Sequence, residues 1–185
     1  MAGIYKGHKI NFVNLKFDQA DITPQKIKGA IFSLLGEDLT GKSFLDLYAG
    51  SGQIGLEALS RGANLVIFNE KDFKRYQFIK KEVKEFFTSA PALFFKQDSL
   101  KTLEKLSFQN IKLDFIFLDP PYEKESQDFN LYQKLLVKIN QGHMLNEKGV
   151  VLIQHFKKNE PITQIGNLKI LKTKQYGTSC LTSYS

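Results

Sequence analysis

The chain has 185 residues, 42% of them hydrophobic and 24% charged, with a formal net charge of +7. That length supports one domain with a sizeable core and excludes two large ones, and the composition excludes wholesale disorder. The positive charge favours an anionic partner, of which nucleic acid is the commonest. Lysine far outnumbers arginine (only Arg61 and Arg75), so bidentate phosphate or guanine contacts are not the expected mode. A single cysteine, Cys180, excludes an internal disulfide and a cysteine-based zinc cluster. His8, His143 and His155 lack metal-ligand spacing, so no metal is expected. No signal-peptide pattern and no apolar run of membrane-spanning length is present, so a cytoplasmic protein without a membrane partner is expected.

In chain order, the first 20 residues mix Lys6, His8, Lys9 and Lys16 with Ile4, Tyr5, Ile10, Phe12, Val13 and Phe17. They read as a short strand pair or an extended basic arm. Thr23-Pro24 opens a helix, with Thr at the N-cap and Pro in the first turn. Ile27, Ala30, Ile31, Leu34 and Leu35 recur on one face, and Gly36 is placed to end it. From residue 41 the pattern alternates. Strands are expected at Ser43–Tyr48, Leu65–Asn69, Ala92–Lys96, Leu113–Leu118 and Gly149–His155, with helices near 53–61, 72–87, 99–107 and 127–141. This alternation predicts a parallel sheet with right-handed crossovers. Lys169–Lys174 and Ser179–Tyr184 flank Gln175-Tyr176-Gly177-Thr178 with no helix between them, and so predict an antiparallel edge hairpin. The fold class is therefore α/β: a mostly parallel seven-stranded Rossmann-like sheet plus a short N-terminal strand and helix extension. One domain is expected over 1–185, with arm and helix at 1–40 and the core at 41–185.

Strand 43–48 runs into Asp46-Leu47-Tyr48-Ala49-Gly50-Ser51-Gly52, and Gly55 completes a G-x-G-x-x-G pattern between a strand and a helix. Glycine permits the tight turn and lets a ligand approach the backbone. Glu70 ends the second strand twenty residues after Gly50, where an acid can accept hydrogen bonds from both ribose hydroxyls of an adenosine. Asp98, after the third strand, can accept from an adenine amino group, cap the next helix, or both. Acids after three successive strands suit a cofactor carrying an amine, a ribose and an adenine. Asp46 is placed to orient the loop and to face the amine end through a water. At the end of the apolar strand 113–118, Asp119-Pro120-Pro121-Tyr122 forms a rigid turn, because the prolines have fixed φ and cannot donate to the ladder. Open α/β sheets place ligands at such strand ends.

The loop and the Asp-Pro-Pro-Tyr turn together resemble S-adenosylmethionine-dependent class I methyltransferases that act on exocyclic amino groups. The longer match runs through Phe44 to Gly52, Gly55 to Ala63 and Leu118 to Tyr122, and it resembles the bacterial RsmD family. Thr23–Phe32 is similar to that family's first helix, although the family usually carries Arg-Pro where this chain has Asp21-Ile22. The resemblance implies S-adenosylmethionine as cofactor and N2 of a guanine in 16S ribosomal RNA as acceptor. The substrate would be ribosomal RNA or the assembling small subunit, and the enzyme a monomer. It implies cofactor contacts from Thr23, Asp46, Tyr48, Ala49, Gly50, Ser51, Gly52, Glu70, Asp98 and Asp119, and a catalytic group of Asp119, Pro120, Pro121 and Tyr122.

A guanine amino nitrogen is a poor nucleophile because its lone pair is delocalised into the ring. The Asp119 carboxylate and the Pro120 carbonyl can each accept one amino hydrogen and so localise that lone pair, while Tyr122 stacks on the base. An adenine-N6 methyltransferase uses a similar turn but usually adds a target-recognition region, for which little of this chain remains. A non-catalytic RNA-binding module is the alternative of another class. Lys6, Lys9, Lys16, Lys26, Lys28 and Lys124 are candidates for a phosphate-facing surface.

Overall fold

The computed structural model describes residues 1–3, 7, 25–87, 91–120 and 128–185. The expected N-terminal strand pair or arm, the Thr23-Pro24 cap, Pro121, Tyr122 and Lys124 lie outside the described residues. The chain divides into two units, 1–96 and 97–185.

In the first unit, α1 (Gln25–Leu35) turns its apolar stripe inward through Ile27, Ile31 and Phe32. Leu34, expected on that stripe, is instead exposed. Three residues after Ile31, it has drifted round the helix to the far edge of the stripe. Gly36 ends the helix at φ 102°, and its N–H donates to the Phe32 carbonyl at 3.0 Å. Next come β1 (Ser43–Asp46), α2 (Gln53–Ser60), β2 (Leu65–Asn69), α3 (Phe73–Phe86) and β3 (Ala92–Phe95). The strands lie in the order β3-β2-β1, all parallel, with Phe44 opposite Val66 and Ile67 opposite Leu93. Phe44, Leu45, Val66, Ile67 and Phe68 are fully or almost fully buried, as expected for strands covered on both faces. Asp72 caps α3 by accepting the Arg75 N–H at 2.9 Å.

The second unit contains α4 (Ser99–Phe108), β4 (Leu113–Leu118), α5 (Asp128–Gln141), β5 (Leu145–Phe156), β6 (Gln164–Ile165), β7 (Leu168–Tyr176) and β8 (Ser179–Tyr184). The strand order is β4-β5-β8-β7-β6; β4 pairs with β5 in parallel and the remaining pairs are antiparallel. The mostly parallel α/β arrangement with an antiparallel C-terminal hairpin is thus present.

Two details go beyond the expected seven strands. β6 adds an eighth, but two residues are too few for any alternation to register. β5 starts at Leu145 rather than Gly149, because the register with β4 slips between Leu113 and Phe115. Gly149 sits at that irregularity, where an added Cβ would lie 2.9 Å from the Leu113 carbonyl oxygen. A hydrogen-bonded chain locks the hairpin to β5: Thr173 Oγ1 meets Thr182 Oγ1 at 2.9 Å, and Thr182 Oγ1 meets His155 Nε2 at 2.8 Å. His155 Nδ1 lies 3.0 Å from the Phe156 carbonyl, so Nδ1 carries the proton and Nε2 accepts. Burial lowers the His155 pKa, against the bond to the Phe156 carbonyl that raises it, and favours the neutral ring.

Candidate active site

The glycine loop is held from both sides by carboxylates. Asp46, the last residue of β1, is only 1% exposed, and its Oδ2 accepts the Gly55 N–H at 2.9 Å. That bond satisfies one of the orphan donors at the start of α2, where Gly52 at the N-cap has no side chain to do so. Burial pushes the Asp46 carboxyl up to about 7; the Gly55 N–H opposes this and the Glu70 charge adds to it. Glu70, just past β2, reaches back to accept the Gly50 N–H on Oε2 at 2.7 Å. Its Oε1 accepts the Asp72 N–H at 2.8 Å. Burial also raises the Glu70 pKa, against the Asp72 and Gly50 N–H groups and the Arg75 charge that lower it.

The glycines do different work. Gly50 takes φ 55°, and an added Cβ there would meet only the Tyr48 carbonyl oxygen, at 4.0 Å, so the loop leaves open space beside that backbone. Gly52, at φ 77°, lies over Ile79 of α3, whose Cγ1 would be 2.9 Å from an added Cβ. Gly55 is the close helix-to-strand approach: a Cβ there would sit 2.2 Å from Phe68 Cε1. Of the other loop residues expected at the cofactor, Tyr48 and Ser51 are half-buried and Ala49 is buried.

Asn69 is a positioning residue that the sequence reading missed. Its Nδ2 donates to the Leu47 carbonyl at 3.0 Å, and its own carbonyl accepts the Ala49 N–H at 3.0 Å. The residue before the acidic strand end thereby fixes both sides of Tyr48. Its only signal in the sequence is an amide in an otherwise apolar strand.

In the second unit, Asp98 is exposed and caps α4, its Oδ1 accepting the Leu100 N–H at 2.9 Å. Of the two roles expected for it, capping is the one seen in the geometry. Asp119 follows β4 directly and is half-buried, and Pro120 is buried. Thr23, Pro121 and Tyr122 lie outside the described residues.

Lys28 is already committed within the protein. Its Nζ lies 3.5 Å from Glu57 Oε2, a carboxylate 2% exposed, while Arg61 contacts Glu57 Oε1 at 3.0 Å. Glu57 Oε1 also accepts the Ala2 N–H at 2.9 Å, and the Ser60 hydroxyl donates to the Ala2 carbonyl. The Arg61 guanidinium lies 4.5 Å from the centre of the Phe32 ring. Lys26 is exposed. Among the described residues no group of three or more His, Cys, Asp or Glu is arranged to hold a metal, and no helix is long and apolar enough to cross a membrane.

The sequence of this chain is 33% identical over 162 residues to "Putative rRNA methyltransferase YlbH" of Bacillus subtilis, covering 88% of this chain and 85% of that protein. It is 29% identical over 178 residues to "Ribosomal RNA small subunit methyltransferase D" of Haemophilus influenzae, covering 96% and 88% of the two chains. The solved structure of "putative methylase HI0767" from Haemophilus influenzae superimposes with a TM-score of 0.78 and 29% identity, over 99% of this chain and 94% of that one. The fold is that of class I, S-adenosylmethionine-dependent methyltransferases. A single family model, described as Conserved hypothetical protein 95, matches residues 1–185, and the chain belongs to that family.

Proposed function

We propose that the chain is a single methyltransferase domain that transfers a methyl group from S-adenosylmethionine to N2 of a guanine in small-subunit ribosomal RNA. The observation that carries this reading is the Glu70 carboxylate closed onto Gly50 at 2.7 Å, beside open space at a positive-φ glycine. Each Glu70 oxygen accepts one backbone N–H and keeps a further lone pair, which is the pair of acceptors that two donating ribose hydroxyls need. No phosphate is required in this arrangement. Two acids, Asp46 and Glu70, hydrogen-bonded to the loop backbone suit a ligand carrying positive charge rather than a pyrophosphate.

S-adenosylmethionine supplies an activated methyl group, so the protein's main task is positioning. Asp46 holds the start of α2 in place and offers charge to an amine through water. Tyr48, Ala49, Gly50, Ser51 and Gly52 line the cofactor. Asp98, while capping α4, keeps lone pairs for an adenine amino group, and Thr23 serves the methionine end. On the acceptor side, Asp119 and the Pro120 carbonyl each accept an amino hydrogen. The nitrogen lone pair is then directed at the methyl, and the proton lost from nitrogen passes to Asp119 or to water. Pro121 stiffens the turn and Tyr122 stacks on the base. Guanine N2 is favoured over adenine N6 by the resemblance of the loop and the Asp-Pro-Pro-Tyr turn to the RsmD family, and small-subunit ribosomal RNA by the name of the Haemophilus influenzae relative. The setting would be the cytoplasm, and the working form a monomer.

The test is methylation of small ribosomal subunits from cells lacking the corresponding activity, with radiolabelled S-adenosylmethionine, followed by nucleoside chromatography. The expected product is N2-methylguanosine. Label in N6-methyladenosine, or no label with a protein that binds the cofactor, would refute the assignment.

A further inference from the structure

The α3–β3 face of the first unit is built unlike an ordinary solvated helix surface. α3 carries Lys74, Arg75, Lys80, Lys81 and Lys84 against two acids, Glu82 and Glu85. Ile79 and Val83 point inward, but Phe73, the first residue of the helix, is 56% exposed, and the Lys96 Nζ lies 4.9 Å from the centre of its ring. Lys80 Nζ lies 5.5 Å from the Tyr76 ring centre and 5.9 Å from that of Phe94. Aromatic faces thus hold cations at the surface instead of burying apolar area.

Between α3 and β3 runs an open groove of about 600 Å³, lined by Lys80, Lys81 and Lys84 over Val83, Phe87 and Phe94. Lys80 and Lys81 each stand about one helical turn before Lys84, at i,i+4 and i,i+3, so the three charges cluster along one rim. All three are exposed, and among the described residues none lies in an ion pair, whereas Lys28 and Lys138 do. β3 is the last strand on this side of β2-β1, so among the described residues its outer edge is unpaired. Ala92 pairs with Val66, at the end of β2 away from Asn69 and Glu70. The groove therefore lies toward the other end of the strands from the glycine loop.

We propose that this groove is a docking surface for the phosphate backbone of ribosomal RNA, contacting a segment other than the target nucleotide. The occupant is identified by charge: three exposed lysines that, among the described residues, lie in no ion pair, set on an apolar floor, match a polyanion with flat apolar edges. The inference rests on the ribosomal RNA substrate proposed above.

The test compares wild type with the triple variant Lys80→Gln, Lys81→Gln, Lys84→Gln. A control variant, Lys112→Gln, Lys148→Gln, Lys158→Gln, loses the same charge from exposed positions in the other unit. Binding to 16S RNA is followed by fluorescence anisotropy across a salt series, and methylation kinetics are measured on the small subunit. The groove variant should raise KM for RNA, leave kcat and cofactor affinity unchanged, and flatten the log K against log salt slope by about 2–3, one ion for each lost phosphate contact. The control should change neither KM nor slope. Equal effects of the two variants would overturn the proposal, as would an unchanged slope in the groove variant. An effect confined to assembled subunits, absent on naked RNA, would assign the groove to a protein and overturn it. Self-association with unchanged RNA affinity would show that the lysines guard the β3 edge, with the same consequence. If wild type itself neither binds nor methylates ribosomal RNA, the proposed function fails first, and that result is distinct from all of these.

Discussion

Replacing Gly55 by alanine tests how the glycine loop is built. On propensity alone the substitution should help, since alanine stabilises a helix interior by about 1 kcal/mol relative to glycine. Packing opposes it. The new methyl would lie 2.2 Å from Phe68 Cε1 and 2.9 Å from Cδ1 and Cζ, well inside the roughly 3.5–4.0 Å optimum for carbon pairs. The ring has little room to move: Phe68 is 1% exposed and stacks on Phe94 at 5.5 Å between centres. Relief must come from α2 lifting off the strand, which lengthens the 2.9 Å bond from the Gly55 N–H to Asp46. Overpacking of this kind costs about 1–3 kcal/mol, and the lost charge-assisted bond about 1.5–3 kcal/mol more, so the net destabilisation should reach roughly 2–4 kcal/mol. Urea unfolding of Gly55→Ala, Phe68→Leu and the double variant would measure it. Removing the ring edge should make the alanine cheaper, giving a coupling of at least about 1 kcal/mol. A neutral or stabilising Gly55→Ala, or strictly additive single effects, would refute the packing argument.

Asp46→Asn should change the pH dependence of stability. Because burial raises the Asp46 carboxyl from 3.8 to about 7, the folded chain holds a proton that the unfolded chain releases, and the associated stability declines as pH rises from about 4 to 7. Asparagine keeps an acceptor for the Gly55 N–H and carries no such proton. Its Tm should therefore gain on wild type as pH rises from about 4 to 7, while affinity for the cationic cofactor falls; parallel Tm profiles would contradict this. Glu57→Gln tests the opposite sign. Burial works to raise the Glu57 carboxyl, but the Ala2 N–H, Lys28 and Arg61 outweigh it and hold it below the ordinary value. Its stabilisation is present above pH 4.5 and is lost as pH falls through the lowered pKa. The variant should lose about 3 kcal/mol near neutral pH, and the Ala2 amide should exchange hydrogen faster. Unchanged exchange at Ala2 would show that the N-terminus is held by other contacts.

What could be read in the sequence was local. The strand-turn-helix order around Asp46–Gly55 declares itself because each glycine answers a separate steric demand and the apolar runs on either side have the length of strands. Glu70 is legible for the same reason, through its fixed distance from Gly50. Asp98 was ambiguous because one carboxylate can cap a helix and still accept from a ligand, and only the geometry shows the cap. The rest depends on contacts between residues far apart in the chain. Glu57 looks like one more charge in a helical pattern until Ala2, 55 residues earlier, is seen on it. Lys28 looks like a phosphate ligand until Glu57 claims it. Asn69 works through two main-chain groups, which leave no periodic trace. The β5 slip at Gly149 and the two-residue β6 arise from pairing register, which is a property of two strands at once.

The central claim is methyl transfer by the Asp119–Tyr122 turn, and its most direct test compares wild type with Asp119→Ala on undermethylated small subunits. Incorporation of label from S-adenosylmethionine is measured, with calorimetry confirming cofactor binding. Wild type should turn over, and the variant should stay folded but lose at least about 100-fold in kcat, because an acceptor acting on the reacting amino group is removed. Undiminished turnover by Asp119→Ala would contradict the claim.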